Sequence, residues 1–350
     1  MPQEELTGWK LVAYSADRRE AKMTGMLVEG EWKTESRLQD EGGRFRRTRT
    51  SFRDRVTGDG SSGFEAEAGR YHLYVAWACP WAHRTAIMRK LKGLEGAIGL
   101  SAVGSFMGDD GWAFYDEPGV IPDAVNGAKY LREVYQKADP DYTGRVTTPV
   151  LWDKERGTIV NDESREIIRM LDHEFDAVGG ARSEVDFCPK DLEAEVDETI
   201  TAIYEPINNG VYRSGFATSQ EAYEEAVTEL FDALDHWEGV LGERRYLCGD
   251  RVTEADWCMF PTLLRFDPVY VGHFKCNLRR IVDYPNLWGY LRDLYQYPGV
   301  KDTVNMEHIK KHYYTSHESI NPTGIVPKGP ILNLDEPHYR QRLSAHGPAR

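Results

Sequence analysis

Tyr71-His-Leu-Tyr-Val-Ala-Trp-Ala-Cys79-Pro80-Trp81-Ala-His83-Arg84-Thr-Ala-Ile-Met-Arg-Lys-Leu91 is the stretch whose reading decides the fold. Residues 71–77 are an aromatic and apolar run of strand character, Ala78-Cys79 is a turn, and the spacing predicts a helix over 80–92. Proline suits the first helical position, because its missing N–H has no intrahelical partner to lose. Cys79 then falls at the cap, in front of unpaired N–H groups and the positive end of the helix. Such surroundings favour the thiolate, which is the nucleophilic form, and His83 and Arg84 one turn on add positive potential. A cysteine is more often a small buried hydrophobe, and that is the reading for Cys188, Cys248, Cys258 and Cys276. At Cys79 strand, cap, proline and helix coincide, so a reactive thiol is expected there. Cys-Pro-Trp-Ala lacks the second cysteine of a Cys-x-x-Cys pair. The expected chemistry is therefore monothiol: a mixed disulfide or thioether-exchange intermediate, resolved by an outside thiol.

Outward from this stretch the chain alternates. Ala97–Val103 reads as a second strand, followed by a long polar and aromatic segment, 105–145, with a helix at 127–138. A loop of that length inside a domain is usually functional or carries its own helix. Thr147-Thr148-Pro149-Val150-Leu151-Trp152-Asp153 is an apolar strand opened by proline, where a cis bond exposes one backbone amide edge. A short strand at Gly157–Val160 leads to Asn161-Asp162-Glu163-Ser164, which starts a helix to about residue 174. The order β-α-β, insertion, β-β-α is the thioredoxin-like arrangement, with the thiol at the end of the first strand and the proline strand facing it.

Beyond Gly179-Gly180 and Cys188-Pro189 the pattern is helical, over Asp191–Tyr204, Gln220–Leu241, 255–266 and onward from Pro285. Thr253-Glu-Ala-Asp256 reads as a capping box, which gives Asp256 a structural role. The expected domains are an N-terminal extension (1–65), a thioredoxin-like domain (66–176), a linker (177–190), an all-helical domain (191–320) and a Pro- and Gly-rich tail (321–350) lying over the surface. In the extension, Gly42-Gly-Arg-Phe45-Arg-Arg47 and Ser51-Phe-Arg-Asp54 interleave aromatics with arginines. The plainer reading of much of it is a solvated extension; the alternative wraps the catalytic domain and brings Arg or Phe to the active site.

A net charge of −14, spread along the chain, argues against a nucleic-acid binder, which needs a positive surface. Five cysteines without framework spacing do not suit a secreted disulfide scaffold and point to a reducing cytoplasm. The N-terminus has neither a basic nor an apolar signal segment, and no apolar run approaches a membrane span.

A thioredoxin-like half followed by a helical half with an early capping box resembles the glutathione transferases. Cys79-Pro-Trp-Ala-His-Arg84, Gly111-Trp112-Ala-Phe114, Pro149-Val-Leu-Trp-Asp153, Asn161-Asp-Glu-Ser-Arg165, Asn208-Asn-Gly-Val-Tyr212-Arg-Ser-Gly-Phe216 and His312-Tyr-Tyr314…Asn321-Pro-Thr-Gly narrow the likeness to the xi class, the glutathionyl-hydroquinone reductases. The likeness spans about residues 40–330; Thr148 departs from it, since the family usually has valine before this proline. It implies that Cys79 attacks the sulfur of a glutathionyl-hydroquinone, that the hydroquinone leaves, and that a second glutathione resolves the mixed disulfide. No metal or nicotinamide is implied, and a homodimer is. Glu163 would meet the γ-glutamyl ammonium and Ser164 its carboxylate, Thr148 before Pro149 would pair with the cysteinyl amide, Trp112 would cover the tripeptide, and Arg145 would meet a carboxylate. Tyr204, Tyr212 and Tyr313 would stack on the aromatic substrate or hydrogen-bond its oxygen, with Tyr204 and Tyr313 expected beside Cys79 in the chemistry. A related γ-glutamyl thiol would use the same pocket. An omega-like or glutaredoxin-like thioltransferase or dehydroascorbate reductase, and a non-catalytic protein of the same fold, stand as alternatives.

Overall fold

The computed structural model describes residues 25–34 and 38–343. Its centre is a four-stranded sheet of order β4-β3-β5-β6, built from β3 (Tyr71–Val75), β4 (Gly99–Ala102), β5 (Val150–Asp153) and β6 (Thr158–Asn161). β3 runs parallel to β4 and antiparallel to β5, and β5 pairs antiparallel with β6. All five residues of β3 are buried because both faces of the sheet are covered. Side chains alternate across a strand, and the two faces meet different partners. Tyr71, Leu73 and Val75 join the core formed with α1 (Pro80–Leu91) and α3 (Ser164–His173). Tyr74 and Ala76 join Trp152 and α2 (Leu131–Ala138) on the other side.

The helix expected over 127–138 begins four residues later. Asp123 gathers the N–H groups of Val125, Asn126 and Ala128 into a turn, and Gly127 takes a positive φ of 68°. Glu133 then accepts from Lys129 and Tyr130 at the start of α2.

The helical half comprises α4 (Glu193–Ile203), α5 (Gly210–Gly215), α6 (Gln220–Glu243), α7 (Glu254–Arg265), α8 (Pro285–Tyr295) and α9 (Met306–Ser316). Two of these helices end in a widened turn, at Tyr204–Asn208 and at Phe266–Tyr270. Each such turn contains a proline, Pro206 or Pro268, which has no N–H to continue the ladder. Around each proline the bonding widens, with Asn209 N–H reaching Tyr204 O and Val271 N–H reaching Phe266 O, five residues back. These turns set Tyr204, Tyr212 and Tyr270 around one end of the bundle. The Asp256 carboxylate is fully buried and accepts from Thr253 N–H (2.7 Å), Leu247 N–H (3.0 Å) and the Tyr290 hydroxyl (2.7 Å). α1 packs against both α3 and α7, so one helix joins the two halves.

The described part of the N-terminal segment is not a free arm. β1 (Met26–Val28) and β2 (Glu31–Lys33) form a hairpin fastened to Gly144 by reciprocal bonds with Leu27. Farther on, the Gly43 carbonyl accepts from Thr218 N–H in the helical half. Phe52 and Asp162 bond to each other through the Phe52 N–H and carbonyl. The segment therefore straps both domains together. In the C-terminal tail Arg340 is buried and donates to the carbonyls of Leu241, Arg244 and Arg245 at the end of α6.

Two stability predictions follow from these buried carboxylates. Asp256→Ala strands at least three donors in the core, and urea unfolding should show a loss of at least about 3 kcal/mol. Asp162 sits between Phe52 N–H and Tyr135 Oη, 3.2 Å each, and burial raises its carboxyl to about 7 against those hydrogen bonds. A folded carboxyl that keeps its proton to higher pH than the unfolded one contributes most below about pH 4, and that contribution is lost as pH rises to about 7. Asp162→Asn keeps the acceptor and removes the titration. Its stability relative to wild type should rise through that window, by at most roughly 1.4 kcal/mol per pH unit.

Candidate active site

β3 ends in a turn in which the Cys79 N–H donates to Ala76 O at 3.0 Å. Cys79 is extended (φ −75°, ψ 122°) and caps α1, with Pro80 at the first helical position. Its sulfur accepts from Ala82 N–H at 3.5 Å and lies 3.4 Å from the Thr148 carbonyl oxygen, to which the thiol donates. The Thr148–Pro149 bond is cis. The thiol is half-buried, whereas the other four cysteines are buried and unpaired. Burial pushes the Cys276 thiol, and burial with the nearby Glu254 the Cys188 thiol, up to about 12. Burial also raises Cys248 and Cys258.

Cys79 opens into a cavity walled by Trp112, Tyr212, Phe216, Tyr313 and His317, with Arg46, Arg47 and Arg145 at its polar side. No carboxylate lines this cavity among the described residues, in a chain where acids outnumber bases 57 to 43. The Tyr212 and Tyr313 hydroxyls are 2.6 Å apart, and Tyr270 joins them at 3.1 Å from Tyr313. Burial, and then charge on Cys79, raises the Tyr212 phenol, while Arg47 opposes the shift. Burial and the neighbouring phenols hold Tyr313 well above the ordinary value. The phenols therefore stay protonated and can donate. Trp112 stacks on His312 at 4.7 Å between centroids. His312 and His273 are lowered to about 4, first by burial, and are neutral at physiological pH. Burial, and then the like charge of Arg47, lowers Arg145 to about 10, so it remains a cation.

A second cavity adjoins the first, the two sharing Arg47, Thr48, Trp81, Thr147 and Thr148. Its walls include Glu163, Ser164, Arg165, Pro149 and Tyr204. Glu163 caps α3, its carboxylate accepting from Arg165 N–H, and the Ser164 hydroxyl donates to it at 3.4 Å. This cavity pairs a carboxylate with a helix N-terminus, so it suits a group carrying both an ammonium and a carboxylate. The first cavity is aromatic and suits a planar ring.

The structure thus brings Cys79, Trp112, Arg145, Thr148, Tyr212 and Tyr313 to one cavity, and Pro149, Glu163, Ser164 and Tyr204 to its neighbour, with Thr148 in both. Tyr204 was expected beside Cys79; it lies with Glu163 instead, 5.8 Å from the Trp81 ring that separates the two spaces. Sequence reasoning missed Arg47 as an individual residue. Its guanidinium sits 4.8 Å from the Trp81 ring and 4.9 Å from the Tyr212 ring, and donates to Asn209 Oδ1. The aromatic–arginine alternation around Phe45 was the available signal. His317 carried no signal at all. Among the described residues one group has metal-binding proximity, Asp172, His173 and Asp186. It lines neither cavity, and the Lys92 ammonium lies 3.4 Å from Asp172.

Comparison with known proteins agrees with this geometry. Residues 78–174 match the family described as "Glutathione S-transferase, N-terminal domain", and residues 220–293 match "Glutathione S-transferase, C-terminal domain". Glutathionyl-hydroquinone reductase YqjG of Escherichia coli (strain K12) is 52% identical, over 90% of this chain and 98% of that protein. Glutathionyl-hydroquinone reductase PcpF of Sphingobium chlorophenolicum is 53% identical, over 89% and 97%. Among solved structures, the xi class transferase from Natrialba magadii superposes with a TM-score of 0.87 at 54% identity, covering 91% of this chain and 97% of that one. The glutathione-bound structure of YqjG gives 0.83 at 51%, covering 91% and 99%. The chain belongs to the xi-class glutathione transferases, the family of the glutathionyl-hydroquinone reductases.

Proposed function

We propose that this protein reduces S-glutathionyl-hydroquinones to hydroquinones at the expense of glutathione, through a mixed disulfide on Cys79. The observation that carries the reading is the placement of one half-buried thiol in an aromatic cavity that adjoins a Glu163–Ser164 cavity. Relatives at 52–53% identity bear the name of this activity. In the first step the Cys79 thiolate attacks the glutathione sulfur of the conjugate. The carbon–sulfur bond breaks, its electron pair stays on the ring carbon, and that carbon takes a proton as Cys79–S–S–glutathione forms. In the second step a glutathione thiolate attacks the glutathionyl sulfur, releasing glutathione disulfide and the Cys79 thiolate. One conjugate and one glutathione give one hydroquinone and one glutathione disulfide, with no other oxidant or reductant.

The residues divide the work by chemistry. Glu163 suits the γ-glutamyl ammonium, Ser164 and the first N–H groups of α3 suit its carboxylate, and the Thr148 backbone suits the cysteinyl amide. Trp112 covers the tripeptide and Arg145 meets a carboxylate. The protonated Tyr212–Tyr313 pair lines the same cavity as Cys79 and can supply the proton to the ring carbon. Tyr204 belongs to the thiol side. The free cysteines fit a reducing cytoplasm, and a homodimer is the expected assembly.

Purified protein should turn over a glutathionyl-hydroquinone with glutathione, and Cys79→Ser should abolish turnover. Hydroxyethyl disulfide run beside it separates the readings: turnover of the disulfide alone would move the protein to the thioltransferases. Tyr313→Phe should slow hydroquinone release by roughly 10²-fold and leave disulfide exchange nearly unchanged, as stopped-flow of the two half-reactions would show. Iodoacetamide on the native protein should modify Cys79 and spare the four buried cysteines, as read by peptide mass spectrometry.

A further inference from the structure

Two arginines lie buried in the seam where α1 meets α7, and neither forms an ion pair with a carboxylate among the described residues. Arg265, fully buried, donates from Nε to Ala78 O (2.9 Å), from Nη2 to Trp77 O (2.9 Å) and from Nη1 to Pro261 O (2.9 Å). Its Nη1 also lies 3.2 Å from His83 Nδ1. The Thr303 hydroxyl spends its proton on Val300 O, so His83 Nε2 carries the proton that faces Thr303, and Nδ1 is left as an acceptor for Arg265. Arg84, also buried, donates to Asn208 Oδ1, Cys258 O and Ser164 Oγ, and its Nε has no partner. An unpaired buried charge is expensive, and removing its cost by pairing or by an apolar replacement is the common solution. Here the charge is kept, and every Arg265 acceptor is neutral. Two of those acceptors are the carbonyls of the residues immediately before Cys79.

We propose that Arg265 is a positioning residue for the reacting thiol: a fixed, ion-pair-free cation, lent by the helical domain to the turn of the thioredoxin-like domain, that aims Cys79 and favours the thiolate when it attacks. The proposal rests on Cys79 being the reacting thiol. Its physical basis is that the charge is shielded from salt and from solvent, unlike the exposed arginines of the N-terminal segment. The groups facing the Cys79 turn are His83 and Arg84 from α1, Tyr212 from α5, Tyr270 from the turn after α7, and His312 and Tyr313 from α9. Arg145 from the loop before β5, Arg46 and Arg47 from the N-terminal segment and His317 just after α9 are the other charged or titratable groups lining the Cys79 cavity. The carboxylates nearby, Asp162, Glu163, Glu166 and Asp197, line the adjoining cavity. The histidines and phenols are neutral, so the thiolate is the anion the seam lacks. The field of Arg265 also reaches Tyr270 and Tyr313, where it opposes the effect of burial. The same buried cation therefore bonds the turn before Cys79 and acts on the hydroxyl wall.

The test is the rate of Cys79 alkylation by iodoacetamide from pH 5 to 9, read by mass spectrometry, in the wild type, Arg265→Lys and Arg265→Gln. Lysine keeps the charge and loses most of the bonds; glutamine keeps a donor and loses the charge. Arg265→Gln should be alkylated at least tenfold more slowly at pH 6 and recover the wild-type rate at high pH, while Arg265→Lys stays within about threefold throughout. Arg265→Met is run beside Arg265→Gln, so that either folded neutral variant suffices. A neutral variant whose profile overlays the wild type overturns the proposal. Equal loss in Lys and Gln variants at every pH also overturns it, since geometry alone would then explain the bonds. A wild-type Cys79 no faster at pH 6 than free glutathione is a different result: it removes Cys79 as the reacting thiol, whatever the variants do.

Discussion

The Cys79 sulfur is held between two backbone groups that belong to different parts of one domain. The Ala82 N–H comes from the first turn of α1, and the Thr148 carbonyl from the loop that precedes β5. Neither contact is strong alone; a sulfur at 3.4–3.5 Å makes a weak hydrogen bond. Their value lies in the geometry they impose, because the rest of the site is placed relative to that point. The helix cap fixes the thiol at the end of β3, the antiparallel pairing of β3 with β5 brings Thr148 across from it, and β6 hands the chain to Glu163 and Ser164.

Charge is organised around the same point. The chain carries a net charge of −14, and an acidic surface repels anions at long range. The Cys79 cavity reverses this locally: among the described residues its lining has arginines and no carboxylate, and the guanidiniums of Arg84 and Arg265 are buried nearby. Two of the acids buried elsewhere are held in ion pairs. Glu254 is clasped by Arg169, and Asp153 by Arg70. A cavity lined by arginines and aromatic rings suits an anion and a planar ring.

The two halves are not independent bodies joined by a linker. α1 carries the thiol at its first turn and lies against α7 of the helical half, and the strap of residues 38–57 bonds to both. Arg47 on that strap bridges the Trp81 and Tyr212 rings where the two cavities meet. These residues are fastened to the fold at Gly43, Phe52 and the buried Val56, while Arg46, Arg47, Arg49, Arg53 and Arg55 stay exposed, so the segment is solvated along much of its length without being free. Composition alone cannot reveal those fastenings.

The local grammar of the chain was readable from residues. Strand, turn, Cys79 and Pro80 specify a capped helix by backbone chemistry that acts within a few positions, and Thr253 with Asp256 does the same for α7. The long-range partners were not readable, because burial and pairing are decided by elements far apart in the chain. The 127–138 helix lost its first turn to Asp123, Tyr204 lies in the widened turn at Pro206 and lines the Glu163 cavity, and His317, just after α9, lines the Cys79 cavity. The sequence by itself determined the β-α-β, β-β-α order of the first half, the cap that places Cys79 at the head of α1, and the family likeness, since these rest on local spacing and on motifs. Only the tertiary structure decided which aromatic side chains share a cavity with the thiol and that Arg265 sits unpaired behind it. Those facts depend on α1, α7 and α9 converging on a single seam, which local spacing does not encode.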